Sequence, residues 1–207
     1  MSVLSTGLSE DTVRRFEEAM QVFEAELAHT KRYDGENIQA LLATRENMAR
    51  CLSKQNRTEE ALALLREIFA ETRDAFGPDH FETITCALPL SIAMIDSGDC
   101  AGCVQFYRDF GLIDAATRVL GPNAEHVLRI RTQYARALYS GRNAKLCDLR
   151  QAVEILESVS PISSRVMGPR HPHTLRNEEF LGVAREKLAR AEAPVARRTR
   201  SSKAEES

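Results

Sequence analysis

Apolar residues recur in this chain at intervals of three, four and seven: Leu41, Met48 and Leu52, then Leu62, Leu65 and Ile68. A helix turns once in ~3.6 residues, so this spacing lays one apolar stripe along each of two successive helices. Runs with the two-residue alternation of strands are hard to find. Carried along the chain, the pattern predicts an all-α fold of about eight helices, near residues 9–32, 37–54, 58–75, 80–97, 99–119, 123–140, 145–167 and 171–192.

The helices are punctuated by a repeated signature. FGPDHFET begins at Phe76, LGPNAEHV at Leu120 and MGPRHPHT at Met167, with a weaker YDGENIQA from Tyr33. The marker glycines Gly35, Gly77, Gly121 and Gly168 are 42, 44 and 47 residues apart, which leaves room for two helices between joints. Glycine tolerates the left-handed conformation that closes a helix, and the following proline cannot continue the ladder. Small residues form two further columns. Ala49, Ser91, Ala135 and Gly182 each follow a marker at one fixed offset, and Ala61, Cys103 and Cys147 follow the first three of these at a second fixed offset. Ala19 in RFEEA matches Ala61 in NRTEEA. Two small columns imply paired helices crossing closely. Two extra residues around Gly111, and about five more in the next repeat including Pro161, make a kink or break the expectation for both second helices. Pro89 inside a helix costs one backbone hydrogen bond, and a tolerated kink is its usual meaning.

Composition adds limits. With 43% hydrophobic and 28% charged residues and no Trp, the chain suits helices. A formal net charge of -2 gives no field to draw nucleic acid or an acidic membrane. No stretch approaches the ~18 apolar residues of a spanning helix, so no membrane insertion is expected. The start, residues 1–8, lacks the basic and apolar character of an export signal and is expected to be flexible. Five scattered cysteines fit reduced thiols and a cytoplasmic location. The helical array is placed at 9–192, with joints near 33–38, 76–81, 120–125 and 167–172. From 193 the polar, basic sequence carrying Arg197, Arg198, Arg200 and Lys203 reads as a disordered, solubilising tail.

The paired small positions and the GP(D/N/R)HPxT-like joints resemble tetratricopeptide repeats of the longer kind found in kinesin light chains. Matching elements are Asn47-Met48-Ala49 with Glu59-Glu60-Ala61, Pro89-Leu90-Ser91 with Gly98, and Gln133-Tyr134-Ala135 with Gly141. The resemblance covers nearly everything from Phe16 to Glu192, without the N-terminal heptad coiled coil of kinesin light chains. It implies a short right-handed superhelix, an α-solenoid of antiparallel hairpins, whose concave face is lined by the first helix of each pair. Glu46, Asn47, Arg50 and Lys54, then Leu88, Ile92 and Ile95, then Arg129, Gln133, Arg136 and Tyr139 are expected to line it. The expected role is an adaptor or scaffold holding a protein, peptide or helix with apolar anchors and acidic flanks. Self-association as an assembly element, or as part of a larger multidomain protein, is the alternative.

Catalytic chemistry finds little footing. Cys100-Ala-Gly-Cys103 has the spacing of a thiol pair at a helix start, which makes a redox switch the third reading. It lacks the strand of a thioredoxin-like site and the second ligand pair of a zinc site, and Cys103 fits the packing column. His80, His126, His171 and His173 read as turn and helix-start residues. Glu59-Glu60 and Glu178-Glu179 read as first-turn residues that complement a helix dipole. With no glycine-rich nucleotide loop and no metal motif, neither enzyme activity nor a cofactor or metal is expected.

Overall fold

A computed structural model describes residues 10–33 and 37–205, with side chains from 12 to 193 except 13, 31 and 33. Among these residues there are nine helices and no strand. They form two compact units, one ending at Ser97 and one beginning at Gly98.

The first unit holds α1 (Glu10–Tyr33), α2 (Ile38–Lys54), α3 (Thr58–Phe76) and α4 (Phe81–Asp96). Each helix packs on its neighbour in sequence. Of the expected stripes, Leu52, Leu62, Leu65 and Ile68 are buried and Leu41 and Met48 half-buried, and Ile84 of α4 is buried as well. Each such aliphatic side chain taken from water contributes about 1.5–3 kcal/mol. Asn37 caps α2 by accepting the Ala40 N–H at 3.0 Å. Pro89 stands inside α4, which runs through it unbroken.

The second unit holds α5 (Cys100–Asp109), α6 (Leu112–Leu120), α7 (Glu125–Ser140), α8 (Leu146–Met167) and α9 (Pro172–Glu205). The two expected irregularities resolve differently. At Gly111 the helix breaks into α5 and α6, because Gly111 takes a left-handed φ of 53°. At Pro161 α8 continues to Met167. The count is therefore nine where the sequence pattern predicts eight. Helix α9 extends to Glu205, past the boundary expected near 192. The expectation for residues 1–8 lies outside the described residues, as does Gly35.

The joints work by a different backbone state from the one expected. Gly77, Gly121 and Gly168 have φ of 86°, 87° and 97°, but ψ of 168°, 151° and 153°. This is not the left-handed helical basin; it is the extended region at positive φ that is essentially restricted to glycine. The joint histidines act as helix starts: His80 Nδ1 accepts the Glu82 N–H and His171 Nδ1 accepts the His173 N–H, both at 3.2 Å.

The small columns need two corrections. Ala49, Ser91 and Ala135 are buried, but Gly182 is exposed, and a Cβ there would meet nothing within 4 Å. The column packs against a following second helix, and none covers α9 at that point among the described residues. Cys147 is also exposed, while Ala61 and Cys103 are fully buried. The connection before α8 spans 141–145, against 55–57 and 97–99 before α3 and α5. Those two added residues move the buried position from Cys147 to Leu149, the fourth residue of α8 as Ala61 is of α3.

Candidate functional site

Each predicted surface residue has a definite place, and the eleven divide between the units. On α2, Glu46 and Asn47 are half-buried, whereas Arg50 and Lys54 are exposed. Burial pushes the Glu46 carboxyl above its ordinary range; Arg50 opposes this and Glu82 adds to it. Glu82 also ties the helices together, accepting from Gln39 Nε2 at 3.3 Å. On α4, Leu88 and Ile95 are buried and only Ile92 is partly open. The apolar centre expected of the surface is thus mostly core in this unit.

The first unit also has a cleft of about 480 Å³ between α2 and α3, floored by Ile38, Leu41, Leu42 and Leu64. At its rim Arg45 donates to Glu67 at 2.9 Å and to Glu71. Its one cation is therefore already committed to carboxylates.

In the second unit α7 faces α9, and this is where charge gathers. Arg129 lies 3.5 Å from Glu125 through Nη1, and its Nε is buried without a hydrogen-bond partner. One turn further, Gln133 is buried and accepts from Arg136 Nη1 at 3.5 Å. The Arg136 guanidinium stands 5.5 Å from the centre of the Phe180 ring on α9. Tyr139 is buried with its ring edge-on to Phe180 at 6.2 Å. Lys187 lies over the Tyr139 ring at 5.5 Å and donates to the Tyr139 carbonyl at 2.9 Å. A cation over an aromatic face is attracted by the ring quadrupole, so these pairs hold positive charge beside an aromatic patch. Burial pushes the Tyr139 phenol up to about 12, with Arg136 acting the other way.

His173, at the start of α9, reports the same field. Burial, then Arg129 and Arg176, push its pKa down to about 4 against a weaker opposing effect of Glu125, and its Nδ1 has no hydrogen-bond partner. Arg129, Arg136, Arg176 and Lys187 thus share one region with Phe180 and Tyr139. The α9 members, His173, Arg176, Phe180 and Lys187, are absent from the predicted set because that set is drawn only from the first helices of the three earlier pairs. Their signal lies in the repeat itself. Arg176 and Phe180 stand at the same offsets from Gly168 as Arg129 and Gln133 do from Gly121.

Helix α9 is anchored by a buried polar chain. Thr132 Oγ1 lies 2.8 Å from Asn177 Oδ1, and Asn177 Nδ2 donates to Ser163 Oγ at 2.9 Å. All three residues are fully buried, so one side chain of α9 is fixed to α7 and α8 at once.

The thiol pair is placed for packing. Cys100 and Cys103 are buried and form no disulfide, and burial pushes the Cys103 thiol up to about 12, with Cys100 and Asp99 adding to the shift. That is the direction opposite to nucleophilic activation. The helix start is occupied by Asp99, which accepts the Gly102 N–H at 2.9 Å. Glu59 and Glu60 do lie in the first turn of α3, but Glu178 and Glu179 fall later, exposed on the second turn of α9. No helix among the described residues is long and apolar enough to cross a membrane.

Comparison with known proteins agrees with this geometry. Residues 41–82 match the family model described as tetratricopeptide repeat. The fold is similar to that of the nearly identical TPR-like repeats of the kinesin light chain type from Podosopora anserina. The TM-score is 0.65 at 20% identity, over 88% of this chain and 86% of that one. A single-site variant of those repeats gives 0.63 at 20% identity, covering 92% and 94%. BtubC (BKLC) from P. vanneervenii gives 0.69 at 16% identity, covering 93% of this chain and 75% of that one. No curated protein matches the chain. The resemblance read from the joints and small columns therefore holds at the level of the fold, which is similar to that of the helical TPR-like repeats of the kinesin light chain type.

Proposed function

We propose that this chain is a protein-binding adaptor that holds an acidic peptide or helix against α7 and α9. The TPR fold supports a protein-interaction module in general. What supports the finer reading is the grouping of Arg129, Arg136, Arg176 and Lys187 beside Phe180 and Tyr139, with one Arg129 donor unsatisfied. The Arg129 side chain is partly open to solvent, and an incoming carboxylate answers such a guanidinium with a charge-assisted bond. Phe180 is only half-buried and offers an apolar neighbour to a ligand side chain. In the first unit, Arg50, Lys54 and Ile92 give α2 and α4 a weaker version of the same chemistry. The role needs no cofactor and no metal.

The test is fluorescence anisotropy with labelled helical peptides of matched length, one set rich in Glu with an apolar anchor and one neutral. The acidic set binds more tightly, and its affinity falls with added salt. Reversal of Arg129 and Arg136 to Glu weakens it by about tenfold or more for each arginine reversed, at ~1.5–3 kcal/mol per charge-assisted bond. Equal binding of both sets, or binding untouched by the reversal in a variant with normal circular dichroism, removes the proposal.

A further inference from the structure

The cations of α7 and α9 stand in register, and that register sets a length the ligand must match. Arg129 follows Gly121 by eight residues and Arg176 follows Gly168 by eight; Gln133 and Phe180 each follow by twelve. The two helices therefore present matched levels, a pair of arginines and then Gln133 beside Phe180. The arginine pair converges on one imidazole: after burial, Arg129 and Arg176 are what lower the pKa of His173 at the start of α9. Arg136 makes a further level, seven residues beyond Arg129, and its guanidinium lies 5.5 Å from the centre of the Phe180 ring.

Seven residues of α-helix make almost two whole turns and a rise of about 10 Å. Arg129 and Arg136 thus leave α7 on one face at that separation, with buried Gln133 between them and half-buried Phe180 alongside. Lys187 reaches α7 beyond this stretch, at the Tyr139 carbonyl 2.9 Å away. Two carboxylates of the chain itself stand in the field. Glu125 lies 3.5 Å from Arg129, and Glu179 adds to the effect of burial in raising the Tyr139 phenol. A ligand acid on Arg129 therefore competes with Glu125.

The spacing selects a ligand conformation. Successive side chains of an extended strand alternate between faces, so its same-face neighbours fall about 7 or about 13 Å apart and miss the arginines. An α-helix fits: its residues i and i+7 share a face about 10 Å apart, with i+3 and i+4 between them. We infer, on the strength of the adaptor reading, that the partner is an α-helix with acidic side chains at i and i+7 and an apolar one at i+3 or i+4. Laid along α7, it sets one acid on Arg129 and Arg176, the other on Arg136, and the apolar residue on Phe180.

Fluorescence anisotropy with stapled helical peptides of equal length, charge and leucine content tests this. Two glutamates are set four, seven or eleven residues apart on one face, and a further peptide carries them three apart in a proline-rich extended chain. The seven-residue spacing binds about tenfold more tightly than the others, the worth of one more charge-assisted bond. Arg136→Gln brings the three helical spacings level. Glu125→Gln strengthens binding of the seven-residue peptide severalfold, because the competing carboxylate is gone. Circular dichroism checks that both variants fold. Equal binding at all three spacings, tighter than that of a neutral helix, overturns the spacing and leaves the adaptor reading standing. Tightest binding of the proline-rich peptide overturns the helical form. Acidic helices that bind no better than the neutral one remove both.

Discussion

Gly77, Gly121 and Gly168 carry backbone torsions that other residues avoid, and each ends a helix at the same point of the repeat. Replacing Gly121 with Ala forces a side chain into that region and costs about 1–3 kcal/mol, read as a lower urea midpoint with unchanged slope. The space around it is empty, so any loss reflects strain and not a clash. His173 makes a second prediction. It titrates at 6.5 when unfolded and at about 4 when folded, so protonation favours the unfolded chain. Its contribution is complete above pH 6.5, declines as pH falls toward about 4, and is level below that. The loss is on the order of 1–2 kcal/mol after solvent screening. Glu125, Arg129, Arg176 and His171 surround it. The informative quantity is therefore the difference between wild type and His173→Gln across that window, which narrows as the pH drops.

Helix positions follow from local signals: joint glycines, capping residues and apolar stripes give eight expected helices whose ends fall close to those observed through α8. The element scale also shows where such signals stop. Gly111 and Pro161 read as equal irregularities, yet one breaks its helix and the other does not. Gly111 adopts the left-handed state that starts α6, whereas Pro161 sits on an exposed side of α8 where a lost backbone donor is tolerated. Cys147 fell out of its column because a longer loop shifted the register, which spacing from a distant glycine does not record. The attachment of α9 is an element-scale property as well. Asn177→Ala takes from buried Ser163 its Asn177 donor and from Thr132 its link to α9, while Thr132 keeps its bond to the Leu128 carbonyl, and is expected to cost about 1–3 kcal/mol in chemical denaturation.

At the scale of the molecule, burial orders the thiols. Cys147 is exposed, Cys51 intermediate, and Cys86 and Cys103 are buried with pKa values pushed up to about 12. A thiol reagent at mildly alkaline pH is therefore expected to modify Cys147 first, and Cys86 and Cys103 only as their units open. Since Cys86 belongs to the first unit and Cys103 to the second, the two slow rates read the opening of each unit separately. Rapid reaction at Cys103 would restore the case for thiol chemistry there.

The amino-acid sequence by itself determined the helical class, the repeat and its joints, because these depend on torsional preference and on period, which are local. It also placed Arg129, Arg136 and Tyr139 on one helix, since an offset from a joint fixes a helical face. Which of those faces stays open was decided only by the tertiary structure. Leu88 and Ile95 share the spacing of surface residues but are core, and Leu175 shares the joint offset of buried Leu42, Ile84 and Leu128 but is exposed. Burial depends on what packs against a helix, and that partner is distant in sequence.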